Sequence, residues 1–217
     1  MDTHLDAPTL FGYIREEVMD SSPAPSVTAI AHIGRDPFLI LIATIISLRT
    51  KDQVTLDASK RLFARADTPK SMLALGADTI AQLIYPSGFY RVKAARIIEI
   101  SRILLECCDG AVPPDRKALL ALPGVGRKTA NLTLSLGFNI KAICVDIHVH
   151  RISLRLGWST GTHPDETEFQ LAELMPDTLW IDLNDVLVRF GQRICTPRNP
   201  RCGSCPVQTW CPKHGVS

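Results

Sequence analysis

Apolar residues recur along most of this chain at intervals of three and four, the spacing that lines one face of an α-helix. Between residues 91 and 108, Ala94, Ile97, Ile98, Leu104 and Leu105 share a stripe with the small Ser101, and Gly110 and Pro113 close the segment. Val145, Val149, Ile152 and Leu156 fall at i, i+4, i+7 and i+11, which predicts a helix over 145–157. Phe38 to Leu48 is apolar apart from Thr44 and Ser47. It is well short of the ~20 residues of a membrane span, and predicts a buried helix. Asp36-Pro37 and Thr68-Pro69 each pair an N-cap residue with a proline at the first helical position. Pro164-Asp165-Glu166 places a proline and two acids in another first turn. The sequence has no Asn-Gly hairpin signal, no sustained alternation and no internal repeat. The pattern predicts an all-α fold of roughly ten helices joined by short loops.

Composition adds limits. The chain has 217 residues, 46% apolar and 21% charged, close to globular averages. That length suits one large domain or two small ones, with a core that needs no disulfide staples. The start, Met1 to Asp6, has two acids and no Lys or Arg, so no secretory signal is expected. The net charge of +2 hides a strong division. Residues 1–34 carry −4, 35–65 carry +3, 66–100 carry +1, 101–160 carry +4, 161–185 carry −7 and 186–217 carry +5. A basic face for a polyanion and an acidic face turned away from it are therefore compatible with a near-neutral sum.

Of the seven cysteines, Cys107, Cys108 and Cys144 lie in apolar helical stretches and are expected in the core. Cys195, Cys202, Cys205 and Cys211 form a C-x6-C-x2-C-x5-C tail. Without a secretory signal, disulfides are disfavoured. Four-cysteine zinc sites usually come as two close pairs, and only Cys202 and Cys205 make one here. A cubane takes one thiolate per iron, which a single wrapping loop can supply. The spacing favours iron–sulfur, though a structural clasp on either metal remains compatible. Arg198 and Arg201 stand between the first two cysteines, stiffened by Pro197 and Pro200, as a candidate phosphate grip.

Residues 115–138 read as helix, then Leu122-Pro123-Gly124-Val125-Gly126, then helix. Glycines permit a tight turn and close backbone approach, and the turn's N–H groups with the next helix's N-terminus make an anion site. This is a helix-hairpin-helix for duplex backbone, with Gly124, Val125, Gly126 and Arg127 as DNA-contact candidates. Lys128 falls in the first turn of the second helix, where the dipole and Arg127 both favour a neutral amine. A neutral amine can form a Schiff base. A lysine that only touches phosphate fits this stretch equally well. Asp146 stands where the 145–157 helix begins, as a cap or as something more. His148, Arg151 and Arg155 share a basic face beside it, with His148 and Arg151 as DNA-contact candidates, and the histidines suit backbone or phosphate contacts better than metal ligation.

With these residues in view, the chain resembles the endonuclease III family, bifunctional DNA glycosylases of the helix-hairpin-helix-GPD superfamily. The resemblance runs roughly from Thr9 to Cys211 and is carried by three pieces. They are Leu122 to Asn131, then Asp146 and His148 eighteen and twenty residues after Lys128, then the cysteine tail. It implies a six-helix barrel over residues 30–140, and a [4Fe–4S] cluster domain from 1–29 with 141–217. Duplex DNA carrying a damaged base or an abasic site would lie across the groove between them. It implies Lys128 as the nucleophile on the sugar C1′ and Asp146 as the acid supporting an oxocarbenium-like transition state. The four tail cysteines would be the cluster ligands. The reaction implied is removal of oxidised pyrimidines followed by β-elimination, by a monomer in the cytoplasm (on the nucleoid in a prokaryote) with no membrane attachment.

The resemblance also implies that Arg49 and Phe89 fill the vacated stack. The best-known members carry Gln and often Leu at these positions, and Ile147 stands where Thr is commoner, so lesion and opposite-base preference are left open. Phe89 in the core and Arg49 on phosphate are the competing readings. Two other functions compete with the implied one. A monofunctional mismatch glycosylase would lack a lysine at position 128, and adenine-removing relatives carry a further domain after the cluster. A non-catalytic hairpin DNA-binding protein needs neither Lys128 nor Asp146.

Overall fold

A computed structural model describes residues 5–216 and contains eleven α-helices and no strands among them. The chain divides into two compact units. One runs from Pro25 to Ile140; the other joins the stretch up to Ala24 to the chain from Lys141 onward.

The Pro25–Ile140 unit holds α2 (Ser26–Gly34), α3 (Pro37–Ser47), α4 (Asp52–Phe63), α5 (Pro69–Ile84), α6 (Tyr90–Cys107), α7 (Arg116–Leu120) and α8 (Arg127–Phe138). The apolar run becomes α3, buried from Ile40 to Ile46 without a break. A helix apolar all round belongs at the centre of its unit, and α3 packs against α2, α4, α6 and α8. Asp36 caps it through Phe38 and Leu39 N–H, and Thr68 forms a capping box with Ser71 on α5, as the cap–proline pairs predict. On α6 the buried face is Ala94, Ile97, Ile100, Ser101 and Leu104, together with Lys93. Leu105 is exposed, so the stripe is rotated from the predicted one.

An expected boundary at residues 29/30 falls inside α2. The unit boundary lies at Pro25, because α2 packs on α3 and α4 and the Ser26 hydroxyl donates to Asp52 at 2.6 Å.

The other unit holds α1 (Ala7–Met19), α9 (Ile147–Arg155), α10 (Pro164–Leu174) and α11 (Trp180–Arg193). Its core includes Phe11, Ile14, Val149, Ile152, Leu187, Phe190 and Val207. Cys195, Cys205, Trp210 and Cys211 pack partly buried against it, and Trp210 stacks on Tyr13 with centroids 5.8 Å apart. The acidic block is not a bare solvated face. Asp177 pairs with Lys141 at 2.7 Å, Asp182 with Arg15 at 3.2 Å, and Glu168 is buried. Of the three cysteines expected in the core, only Cys144 is buried. Cys107 ends α6 on its exposed side, and Cys108 sits half-buried where the helix has already unwound.

Candidate functional site

The hairpin lies wholly in the Pro25–Ile140 unit. Asp115 caps α7 through the Ala118 N–H at 2.8 Å, and Leu122 and Val125 turn inward. Gly124 has φ +75°, and a Cβ there would meet the Arg96 side chain at 2.7 Å. The positive φ is what requires glycine, while the Arg96 side chain would have to move to admit a Cβ. Gly126 differs. Its backbone is extended at φ −98°, and a Cβ would meet nothing within 4 Å. No protein neighbour accounts for that glycine; open space is left for a partner's backbone. Among the described residues, the N–H groups of Gly124 and Gly126 have no acceptor, so they and the N-terminus of the twelve-residue α8 form an anion-binding turn. Arg127 and Lys128 are the first two residues of α8, both half-buried. Arg96, on α6, brings a further guanidinium to this turn; nothing in the sequence links it to residue 124.

In the same unit, Arg49 and Phe89 are exposed, Phe89 to 63%. The core reading of Phe89 is excluded. The Arg49 guanidinium carbon lies 5.6 Å from the centroid of the Phe89 ring, within cation–π range.

In the other unit, Asp146 is the N-cap of α9. Its Oδ1 accepts from His148 N at 2.8 Å and Val149 N at 2.9 Å. The capping role and a catalytic role are compatible, because Oδ2 takes no hydrogen bond from any described residue. The basic face of α9 turns toward the cysteine loop. Arg151 donates to the carbonyls of Gly191 at 3.2 Å and Cys195 at 2.9 Å, and to His148 Nδ1 at 3.1 Å. A guanidinium only donates, so Nδ1 accepts and the His148 Nε2 carries the proton. Gly191 permits this approach, since a Cβ there would stand 2.5 Å from that Nδ1. Arg151, expected on DNA, is thus engaged inside its own unit. Burial lowers the pKa of Arg151, while the neighbouring Cys195 opposes the shift.

Arg155 goes further. It is buried, donates to the carbonyls of Thr196 at 2.7 Å and Pro197 at 3.0 Å, and lies 3.3 Å from Cys195 Sγ. Only the i, i+4 register with Arg151 hinted at this. Arg198 and Arg201 are exposed, with no side-chain partner among the described residues.

The four tail cysteines line one cavity with Leu156, Phe190 and Val207. Among the described residues, no three His, Cys, Asp or Glu side chains converge as a single-ion site. A zinc ion needs four thiolates about 2.3 Å from one point, whereas a cubane takes its thiolates at separated irons. Four cysteines around one cavity supply the one thiolate per iron that a cubane takes, so the donor set fits a cluster. Burial raises the Cys205 thiol to about 11, and the other cysteines add to the rise; a bound cationic cluster would reverse that rise and hold the thiols as thiolates.

Residues 42–177 match the family model of HhH-GPD superfamily base excision DNA repair proteins. Residues 195–211 match the iron–sulfur binding domain of endonuclease III, beginning and ending on the outer two tail cysteines. Endonuclease III of Thermotoga maritima is 49% identical over 180 residues, covering 83% of this chain and 84% of that protein. The chain belongs to the endonuclease III family.

Endonuclease III of Escherichia coli K12 is 40% identical over 175 residues, covering 81% of this chain and 83% of that protein. A solved structure of a trapped endonuclease III–DNA covalent intermediate, an estranged-adenine complex, superposes with a TM-score of 0.84. It has 33% identity and covers 94% of this chain and 93% of that one. As a member of the endonuclease III family, this protein is a DNA base-excision repair glycosylase that binds DNA, with a [4Fe–4S] cluster as cofactor. No helix among the described residues is long and apolar enough to cross a membrane.

Proposed function

We propose that the protein removes oxidised pyrimidines from duplex DNA and then cuts the abasic strand, acting as a monomer. The observation that carries this reading is Lys128 in the first turn of α8, directly behind an anion-binding hairpin whose Gly126 leaves open space. The hairpin N–H groups, with Arg127, hold the DNA backbone beside the lesion; His148, Arg198 and Arg201 add contacts. The damaged nucleotide leaves the stack, and Arg49 and Phe89 occupy the gap.

Lys128 Nζ attacks C1′ as the C1′–N bond breaks and the base leaves with a proton. The Asp146 carboxylate, fixed through Oδ1, stabilises positive charge developing on the sugar. Ring opening gives an imine. Loss of a C2′ proton then breaks the C3′–O3′ bond, and water releases the lysine. Cys195, Cys202, Cys205 and Cys211 hold the cluster, which supplies structure and charge rather than a reaction step. The trapped covalent intermediate of the similar endonuclease III supports a covalent route. A monofunctional or purely binding role gives no place to an amine and a pinned carboxylate together.

Borohydride reduction during turnover tests the nucleophile. Wild type should give a covalent adduct on duplexes with an oxidised pyrimidine, and Lys128→Ala none. An adduct that persists in Lys128→Ala removes the assignment.

A further inference from the structure

Arg49 and Phe89 are held in an unusual way. Both have left-handed backbone conformations, φ 52° and 57°. Residues with side chains rarely adopt these angles and keep them only where neighbours fix the backbone. The fixing group here is the Thr50 hydroxyl. It donates to the Leu48 carbonyl at 3.2 Å and accepts from the Gly88 N–H at 3.1 Å and from Lys93 Nζ at 2.8 Å. One hydroxyl thus joins the loop before α4 to the loop before α6. The loops touch so closely that a Cβ at Gly88 would stand 2.5 Å from the Arg49 carbonyl oxygen.

Lys93 completes the junction. Its side chain is buried, and Nζ also donates to the Ile46 carbonyl at 2.6 Å, near the C-terminal end of α3. No carboxylate among the described residues pairs with it. A buried amine without a counter-ion is a costly way to fill space, which an apolar side chain would fill better. Burial lowers its pKa to about 8. A neutral amine still has two N–H groups for its two acceptors, so the junction does not depend on the charge.

We propose that Lys93 and Thr50 are positioning residues that preset the Arg49–Phe89 pair for entry into the DNA stack. The two hydrogen-bonded loops present the pair already ordered, so insertion does not have to immobilise it. This rests on the reading above, that Arg49 and Phe89 fill the gap left by the extruded nucleotide.

Single-turnover excision of an oxidised pyrimidine from a duplex tests the proposal, with lyase rate on a single-stranded abasic oligonucleotide as reference. Thr50→Val and Lys93→Met should each lower the duplex-to-single-strand rate ratio about tenfold, and Thr50→Ser should restore it. In an Arg49→Ala/Phe89→Ala background the same substitutions should change the ratio less than about twofold, as expected of residues acting through that pair. Equal losses in both backgrounds, or on both substrates, would mean a general structural role and overturn the proposal. A wild-type ratio in Thr50→Val and Lys93→Met overturns it too, and leaves the stack-filling reading standing. An unchanged duplex rate in the Arg49→Ala/Phe89→Ala protein removes that reading, and the proposal with it.

Discussion

Asp146 Oδ1 accepts the backbone N–H of His148 at 2.8 Å, which makes the proposed catalytic carboxylate the cap of its own helix. Asparagine caps a helix about as well as aspartate. Asp146→Asn should therefore keep the melting temperature while excision falls about 10²-fold or more, the usual scale for a charge lost at a transition state. Asp146→Ala should lose about 1 kcal/mol of stability as well. Parallel melting curves and single-turnover rates separate the two roles, and normal excision by Asp146→Asn would end the catalytic one.

The two hairpin glycines should respond differently. Gly124→Ala places a Cβ at positive φ against Arg96 and should cost about 1–2 kcal/mol in stability. Gly126→Ala meets no protein atom, so its stability should hold while DNA affinity drops about tenfold because the approach space is filled. Denaturation and binding titrations on both variants check this.

Arg198 and Arg201 have no protein partner among the described residues, so replacing both with Glu should leave the fold intact. If each contacts a phosphate, the slope of log affinity against log salt should shrink by about 2. An unchanged slope would show that neither is on the backbone.

Arg155 holds the Thr196 and Pro197 carbonyls and stands beside Cys195 Sγ. Arg155→Met should loosen the loop without removing a ligand. Bleaching of the cluster's visible absorbance under a chelator should be faster than in wild type, with about four irons per chain in the protein as isolated. Stoichiometric zinc in place of iron would contradict the cluster.

Lys93 gives a stability signature. Its folded pKa is lowered to about 8 by burial, while the unfolded value lies near ~10.4. Between those values the unfolded chain binds more protons, so wild-type stability relative to Lys93→Met should rise with pH across the window and be flat below it. Denaturant unfolding of both proteins between pH 7 and pH 10.5 measures the difference; a constant difference would place the amine in water.

Local chemistry was readable along the chain. The apolar run had to become a buried helix because no other placement removes its nine apolar residues from water. The cap–proline pairs set the starts of α3 and α5, the Gly-Val-Gly turn marked the hairpin, and the spacing of the tail cysteines pointed to a cluster. The predicted helix over 145–157 starts instead at Ile147, because Asp146 turns back to cap it.

What the sequence determined by itself was the set of periodicities, caps and chemical groups, since these depend on neighbours a few residues away. Tertiary structure decided which groups meet across long separations. Lys93 reads as one more helix cation until α3 and the loop that follows it bring Ile46 and Thr50 against it. Arg151 reads as a DNA contact, and Arg155 as its neighbour on one basic face, until the cysteine loop offers them carbonyls. Cys107 reads as core until the end of α6 leaves it outside. In each case the partner's burial and geometry set the role, and no local pattern encodes them.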